Sequence, residues 1–315
     1  MKKLLSLLFL CTIFCFLLVF PIQTLEASKN GLLLWFDSLL PTLLPFLIIS
    51  QLILKTSFID SIQRILGPFF RQFFHCSDDG AFCILCGFLC GYPVGARLIA
   101  LQIQEKRLNI KEGQYLLSFC NNVSPMFCIS YGILFAIGAS NVLPYLLIIY
   151  GSALLFGFFT RPKHLSENSL SIKKQTSSTE NIFQLIDVCI IDSFLIMIKL
   201  CGYLIIFSII NSAILMILPD ITLYIAPIIS SVLEITGGLA KLTVLPQNFL
   251  RSAIGIGALT FGGLCCIFQT NSVILNSGLS LKKYIYHKIL ITMIALFLFF
   301  LWSFFRNIFS INGWS

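Results

Sequence analysis

The chain has 315 residues, of which 57% are hydrophobic and only 11% are charged, and its mean hydropathy is +0.94. This composition excludes an ordinary soluble domain and predicts an all-α polytopic membrane protein, for which the lipid bilayer is the main partner. The net charge of +8 comes from short basic clusters at the ends of apolar segments. Such clusters set topology and contact lipid headgroups, and they do not suggest nucleic acid as a partner.

The first predicted element is an apolar run over residues 4–20, preceded by two lysines. This pattern favours an N-terminal membrane anchor over residues 1–30, with its amino end in the cytoplasm. The small residues around positions 25–28 also fit the cleavage site of a signal peptide, so that alternative stays open.

The next apolar stretch, residues 31–54, contains Pro41 and Pro45. Each proline removes a backbone donor from a helix, so we expect a twice-interrupted segment that is re-entrant or lies at the membrane interface. After it, apolar residues recur at helical spacing over residues 58–74. They predict an amphipathic helix on the membrane surface.

A glycine-rich apolar stretch follows at residues 81–103, long enough to cross a bilayer but poorly suited to a straight helix. Gly87, Gly91 and Gly95 recur at every fourth position, and Pro93 predicts a kink. Two interpretations fit this spacing. One is a seam of small residues for helix packing, and the other is an opened helix whose backbone lines a transport site.

A second broken segment lies at residues 118–127, after a charged connection over residues 104–114 that we expect on the cytoplasmic side. Asn121, Asn122 and Ser124 place amide and hydroxyl groups beside a proline in an apolar context. Polar groups at membrane depth are costly without partners, so these three residues are candidate ligands of a solute.

The second part of the chain resembles the first. The segment at 35–50 resembles the segment at 190–208. In addition, Gly95 is followed 24 residues later by Phe119 of one broken segment, and Gly237 is followed 24 residues later by Phe261 of another. Paired broken helices in corresponding positions of a duplicated chain point to a transport site. The expected divisions are an anchor at 1–30, a first repeat at 31–160, a flexible cytoplasmic linker at 161–181, a second repeat at 182–305 and a short tail at 306–315.

In the second repeat, Glu234 and Thr236 lie beside two glycines in an otherwise apolar run. A carboxylate within a membrane segment is a candidate functional group, because it must be neutral, paired or hydrated. An equally open alternative places Glu234 near a membrane surface, where it pairs with Lys241 or Arg251.

Another glycine-rich break is predicted within residues 254–275, where Gln269 and Thr270 supply further polar groups. The last span is expected at about residues 289–305. Simple alternation of all these crossings puts some basic loops on the wrong side of the membrane. Either some of these segments are re-entrant and do not cross the membrane, or the true number of spans differs by one from the number counted here.

No motif of a metal, redox or enzyme site is complete. Cys83 and Cys86 form a CxxC without a second pair at zinc-site spacing. His75, His164 and His287 are solitary, and the sequence lacks HExxH, GxSxG, Walker A and GxGxxG motifs. We therefore expect no enzyme activity, no catalytic residue, no metal and no cofactor.

Several of these segments together resemble a known family. The runs GFLCGYPVGARL at 87–98 and LLSFCNNVSPMF at 116–127, with LEITGG and TFGGLCCIFQ later, look like the sporulation integral membrane proteins of the YlbJ type. These belong to the nucleoside-recognition or Gate family, and the similarity extends over about residues 31–290. The resemblance implies duplicated gate-like halves with broken or re-entrant helices. It also implies a role in endospore formation in a bacterial inner membrane, or in a forespore or mother-cell membrane.

The leading hypothesis is a transporter or gate for a small polar solute or ion, whose broken helices face one site near the middle of the bilayer. The alternative is a non-transporting assembly protein that recruits other sporulation membrane proteins through its linker and basic loops. The candidate solute-binding residues are Gly91, Tyr92, Pro93, Gly95, Asn121, Asn122, Ser124, Glu234, Thr236, Gln269 and Thr270.

Overall fold

The computed structural model describes residues 2–56, 58–162, 182–217 and 223–311, and these residues form helices and connecting loops without any β-strand. The prediction of an all-α membrane protein is confirmed. Four stretches of the described residues are long and apolar enough to cross a membrane. If each of two bent helix pairs also forms one span, the number rises to six. Those four are Ile110–Ile137, Ile182–Ile217, Phe249–Ile274 and Leu281–Arg306.

The described residues up to 162 form nine helices and two π-helical segments. In order they are α1 (Lys2–Val19), α2 (Pro21–Leu33), the first π segment (Leu34–Leu39), α3 (Leu40–Lys55), α4 (Phe58–Phe74), α5 (Asp78–Cys90), α6 (Val94–Gln104), α7 (Ile110–Cys120), the single turn α8 (Pro125–Phe127), the second π segment (Cys128–Ile137) and α9 (Leu143–Phe159). The predicted linker, apart from its first two residues, lies outside the described residues.

The second part contains six helices among its described residues. They are α10 (Ile182–Ile217), α11 (Ile225–Leu233), α12 (Ile235–Leu242), α13 (Phe249–Phe261), α14 (Gly263–Ile274) and α15 (Leu281–Ile311). The last helix begins before the span expected at 289–305 and continues through most of the residues expected to form a tail at 306–315. The helix thus continues beyond the candidate span, which ends at Arg306, and the division into a last span and a short tail stays a prediction.

The N-terminal helices do not follow the predicted interruptions. The chain bends by 106° between α1 and α2 and then stays helical as far as Lys55, past both Pro41 and Pro45. Proline has no backbone N–H to donate within the helix. The wider π-helical turn directly before Pro41 lets the helix continue without that hydrogen bond. The helix packs along α10 over most of its length. The predicted interruptions at Pro41 and Pro45 are therefore wrong, and the re-entrant or interfacial position of residues 31–54 stays a prediction.

The glycine-rich stretch at 81–103 is a helical hairpin rather than a kinked span. Helix α5 ends at Gly91, whose positive φ of 74° suits glycine, and the chain then reverses into α6. A methyl group on Gly95 would lie 2.9 Å from the Cα of Gly87, a proximity that two positions eight residues apart reach only when the helix folds back. We call α5, the tip at residues 91–93 and α6 the first hairpin.

A second hairpin lies in the second part of the chain. It consists of α11, the single extended residue Glu234 at the tip, and α12. A methyl group on Gly238 would collide with the backbone of Ser231, so the two arms lie against each other as in the first hairpin.

Two membrane spans are interrupted in the interior of the protein. One runs through α7, α8 and the second π segment with a break at residues 121–124, and the other runs through α13 and α14 with a break at Gly262. In their apolar windows 61% and 67% of the residues are buried, against 28% for α10 and 22% for α15. The broken helices are thus shielded from lipid, as irregular backbone at membrane depth requires.

Four kinds of element follow in the same order in both parts of the chain, although α4, between α3 and the first hairpin, has no counterpart among the described residues of the second part. Each has a long helix (α3, α10), a hairpin, a broken span and a final apolar helix (α9, α15). Equivalent contacts recur, because α6 packs on α14 while α12 packs on the second π segment, and α3 packs on α10 while α9 packs on α15. This order is what a duplication predicts, and the duplication itself stays a prediction.

Each hairpin begins and ends at the same end of the bundle. One end of the bundle, which we call the basic end, carries Lys106, Arg107, Lys282 and Lys283. There the start of α5 meets the end of α9. The start of α7 meets the start of α15 through hydrogen bonds of Gln114 with Ser280. At the opposite end, Arg251 of α13 donates to the carbonyl of Ala136. Since a hairpin enters and leaves at one end, the basic loops at 106–107 and 282–283 lie at the same end of the bundle, and the sidedness of the spans stays a prediction.

Candidate functional site

The tips of both hairpins meet the breaks of both spans in the interior. A methyl group on Gly91 would lie 2.6 Å from the backbone nitrogen of Ser124, so the first tip packs against the first break. A methyl group on Gly263 would lie 3.0 Å from the carbonyl oxygen of Ser231, so the second hairpin packs against the second break. Four interruptions of regular helix therefore converge on one region.

A cavity of about 60 Å³ lies where these elements meet. This volume suffices for a small ion or a few water molecules. Apolar residues of α3 and α10 complete its wall, together with the thiols of Cys90, Cys265 and Cys266. The predicted site residues that line the cavity are Tyr92, Pro93, Ser124, Glu234, Thr236 and Gln269.

The carboxylate of Glu234 is held at the cavity wall by the start of α12. Its Oε1 accepts a hydrogen bond from the backbone N–H of Thr236 at 2.7 Å, and its Oε2 accepts one from Gly237 at 2.6 Å. Glu234 is only 4% exposed. Unpaired backbone donors at a helix N-terminus stabilise a negative charge, so this arrangement makes a buried carboxylate tolerable without a cation.

The alternative that Glu234 pairs with Lys241 or Arg251 is wrong. Among the described residues neither cation forms an ion pair with it. Lys241 donates to the hydroxyl of Ser230 at 2.9 Å, and Arg251 donates to the backbone carbonyls of Ala136 and Leu245, both at 2.8 Å. Glu234 is therefore a cavity residue and not half of a surface ion pair.

Hydroxyl and amide groups complete the polar part of the cavity wall. The Ser124 hydroxyl accepts a hydrogen bond from the N–H of Phe127 and so begins the turn after the first break. The side-chain amide of Gln269 donates to the Cys265 sulfur at 3.3 Å. Over the described ranges no group of three or more His, Cys, Asp or Glu side chains is placed to hold a metal ion. One carboxylate with neutral polar groups suits a small cation or a small polar solute.

Gly91 and Gly95 serve the packing of the first hairpin and do not line the cavity. Gly91 forms the tip against Ser124, and Gly95 lies between Gly87 and the carbonyl of Cys120. The small residues thus form a packing seam, and the turn that they permit reaches the cavity; the interpretation as a transport site stays a prediction.

Asn121 and Thr270 belong to a separate polar cluster beside the cavity. The Asn121 amide donates to the Thr270 hydroxyl at 2.9 Å and to the Tyr284 hydroxyl at 3.0 Å, and Thr270 donates to the carbonyl of Cys266. These bonds connect the first break to α14 and α15. Asn122, at the same break, donates to the Phe119 carbonyl and also lies outside the cavity lining.

Lys288 was not among the predicted site residues. This lysine is 0% exposed, and its Nζ donates to the Oδ1 of Asn122 at 2.8 Å. A span predicted to begin at residue 289 left Lys288 outside the membrane, whereas α15 begins at Leu281. The signal was present, because Tyr284 and Lys288 are four residues apart and so lie on one face of a helix.

Comparison with known proteins gives one partial similarity. Over 107 residues the chain is 36% identical to the sporulation integral membrane protein YlbJ of Bacillus subtilis (strain 168), and this region covers 34% of the chain and 26% of that protein. The chain thus matches about a quarter of the relative's length. No family model matches the chain, and no solved structure matches it.

Proposed function

We propose that this protein is a multi-pass membrane transporter or gate for a small polar solute or ion and that it acts in endospore formation, with no enzymatic step of its own. The observation that carries the proposal is the convergence of two hairpin tips and two helix breaks on a cavity whose wall includes the Glu234 side chain. Irregular backbone within a membrane protein is costly to maintain, and secondary transporters use it to build their substrate sites.

The arrangement of the hairpins supports a gate rather than a static packing core. The first hairpin begins and ends at the basic end and the second at the opposite end, with the cavity between their tips. Movement of one hairpin at a time would open the cavity to one side of the membrane only, as alternating access requires. The cavity has room for a small ion or a few water molecules, so a larger solute requires the tips to move apart.

The role in sporulation is supported by the name of the partial relative, an integral membrane protein of sporulation. A nucleoside-recognition or Gate-type architecture and a location in the inner, forespore or mother-cell membrane are part of the same proposal. Basic loops gathered at one end favour a cytoplasmic orientation of that end.

Access of water to the cavity is the direct test. Native cysteines provide the probes, because Cys90 lines the cavity whereas Cys83, on the same helix, is buried in the core between α5 and α7. Two proteins, each with one of these cysteines and no other, are reconstituted in lipid nanodiscs and treated with a hydrophilic methanethiosulfonate. We expect Cys90 to react and Cys83 to stay protected. Equal protection of both thiols would refute a water-accessible cavity.

A genetic experiment separates transport from the assembly alternative. In a spore-forming host that lacks the gene, Glu234→Gln is compared with the wild type and with a protein whose residues 165–180 are replaced by a Gly/Ser linker, at matched membrane abundance. A transporter predicts that Glu234→Gln fails to restore resistant spores while the linker replacement succeeds. The reverse result would favour a protein that recruits other sporulation membrane proteins.

A further inference from the structure

Lys288 is a fully buried lysine within an apolar helix. Its side chain is 0% exposed, and no carboxylate lies within ion-pair distance of it in the part of the chain that the structure describes. Lysine is almost never fully buried unless it is paired. An unpaired ionisable group at membrane depth is costly and usually functional.

The neutral groups around Lys288 come from both broken spans. Its Nζ donates to Oδ1 of Asn122, in the first break, and lies 3.5 Å from the carbonyl oxygen of Thr260, at the end of α13 just before the second break. The faces of two tyrosine rings complete the surroundings, with ring centres 5.1 Å away for Tyr92 and 6.0 Å away for Tyr284. Carbonyl oxygens and aromatic faces are groups that bind cations.

We propose that Lys288 is the proton-binding residue that couples this transporter to protons, its protonated amine holding the two helix breaks together and its neutral amine releasing them. The inference rests on the proposed function, since it assigns the coupling ion of the same cavity. Tyr92 connects the two, because its ring faces Lys288 and the same side chain lines the cavity.

The proton balance is simple. Protonated Lys288 gives one proton to a water molecule admitted through the cavity, and the ammonium becomes a neutral amine with a lone pair. Asn122 and Thr260 then lose a charged donor, and a hydrogen bond from a charged group is stronger than one from a neutral group. Rebinding of a proton from the other side of the membrane restores the contact.

The remaining surroundings contain no competing carboxylate among the described residues. The titratable groups that face Lys288 are Tyr92 from the first hairpin, Tyr284 from its own helix, Cys120 from α7 and Cys266 from α14. An ammonium without a counter-charge is costly at membrane depth, so no carboxylate fixes the charge of Lys288 in place.

The test follows the opening of the cavity as a function of pH. The protein with Cys90 alone is labelled in nanodiscs from about pH 6 to about pH 9, and each rate is divided by the rate of Lys288→Met at the same pH, so that the titration of the thiol itself cancels. Lys288→Arg keeps a charge throughout this range, and Lys283→Met, at an exposed lysine of the same helix, is the matched control.

We expect the labelling rate of Cys90 in the wild type to be about one tenth of the rate in Lys288→Met at acidic pH, and to approach that rate at alkaline pH. A difference of about tenfold corresponds to the loss of one charge-assisted hydrogen bond. Lys288→Arg should stay low across the range, and Lys283→Met should follow the wild type. If Lys288→Met does not accumulate, Asn122→Ala provides the reference, because it removes the acceptor and should abolish the protection at acidic pH.

A wild-type ratio that does not change with pH would overturn the inference and leave Lys288 a fixed packing group, while the proposed function would stand as long as Cys90 reacts. Failure of Cys90 to react at any pH in any variant, when a cysteine placed at the exposed position of Lys282 reacts, would overturn both.

Discussion

Gly87 and Gly95 bring the two arms of the first hairpin into backbone contact, since a methyl group on Gly95 would lie 2.9 Å from the Cα of Gly87. On its other side Gly87 faces the end of α7, where a methyl group would collide with the carbonyl oxygen of Cys120. These contacts place the hairpin tip against the residues at which the first broken span unwinds. The position of the cavity therefore depends on two residues that lie outside its wall.

Gly87→Ala should destabilise the protein and disturb the site. The added methyl has no space on either side, and overpacking of this kind typically costs about 1–3 kcal/mol. We expect a lower thermal unfolding temperature in detergent and increased labelling of Cys90.

Gly202→Ala is the matched control, because a methyl group at that exposed position of α10 has no atom within 4 Å. It should leave the unfolding temperature unchanged or raise it slightly, since alanine favours helix more than glycine does. Equal destabilisation by both substitutions would contradict the close contact in the hairpin.

Arg251 should be essential for the opposite end of the bundle. Its guanidinium donates to the carbonyls of Ala136 and Leu245 at 2.8 Å, which joins the end of the second π segment to the loop after α12. Arg251→Met leaves these buried carbonyls without a donor, and a cost of about 1–3 kcal/mol for each unsatisfied group is typical. We expect a large loss of thermal stability and partial recovery with Arg251→Lys, which supplies fewer donors. The exposed Arg306→Gln should have little effect, and an Arg251→Met protein as stable as wild type would contradict the role.

The sequence predicts the existence of the breaks better than their geometry. Glycine and proline at 91–95 and the Asn-Asn pair at 121–122 mark two interruptions, and Glu234 marks a third. A kink and a reversal have the same local signature, however, because both need a residue that ends the helix. The reversal is decided by small residues on facing arms, a relationship between distant positions that local patterns do not contain.

The site residues divide in the same way. Polar residues at the breaks were identified from their cost in lipid, and this argument finds Glu234 and Gln269 in the cavity and Asn121 beside it. It does not distinguish a group that faces a cavity from one that bonds to another helix. Lys288 was missed because a lysine near the end of an apolar run resembles a topology signal.

Tyr284→Phe should weaken the link between the first break and α15. The substitution removes the hydroxyl that accepts from the Asn121 amide at 3.0 Å and leaves the ring in place. Loss of one buried hydrogen bond predicts a destabilisation of about 0.5–1.5 kcal/mol, measured by thermal unfolding. Tyr286→Phe, on the exposed side of the same helix at 61% exposure, should be neutral. If the two variants unfold alike, the cluster around Asn121 does not contribute to stability.

The two ends of the bundle should be reached from opposite sides of the membrane. Exposed Lys282 lies at the basic end, and exposed Ser140 lies in the loop between the second π segment and α9, near the end of the bundle held by Arg251. Because short basic loops stay in the cytoplasm, a cysteine at position 282 should react with an impermeant thiol reagent only after the cells are opened, and one at position 140 should react in intact protoplasts. The variants are made in a protein without native cysteines, and a protein without any cysteine measures background. If both positions are labelled from the same side, the hairpins do not enter the membrane from opposite ends, and the alternating-access arrangement proposed here fails with them.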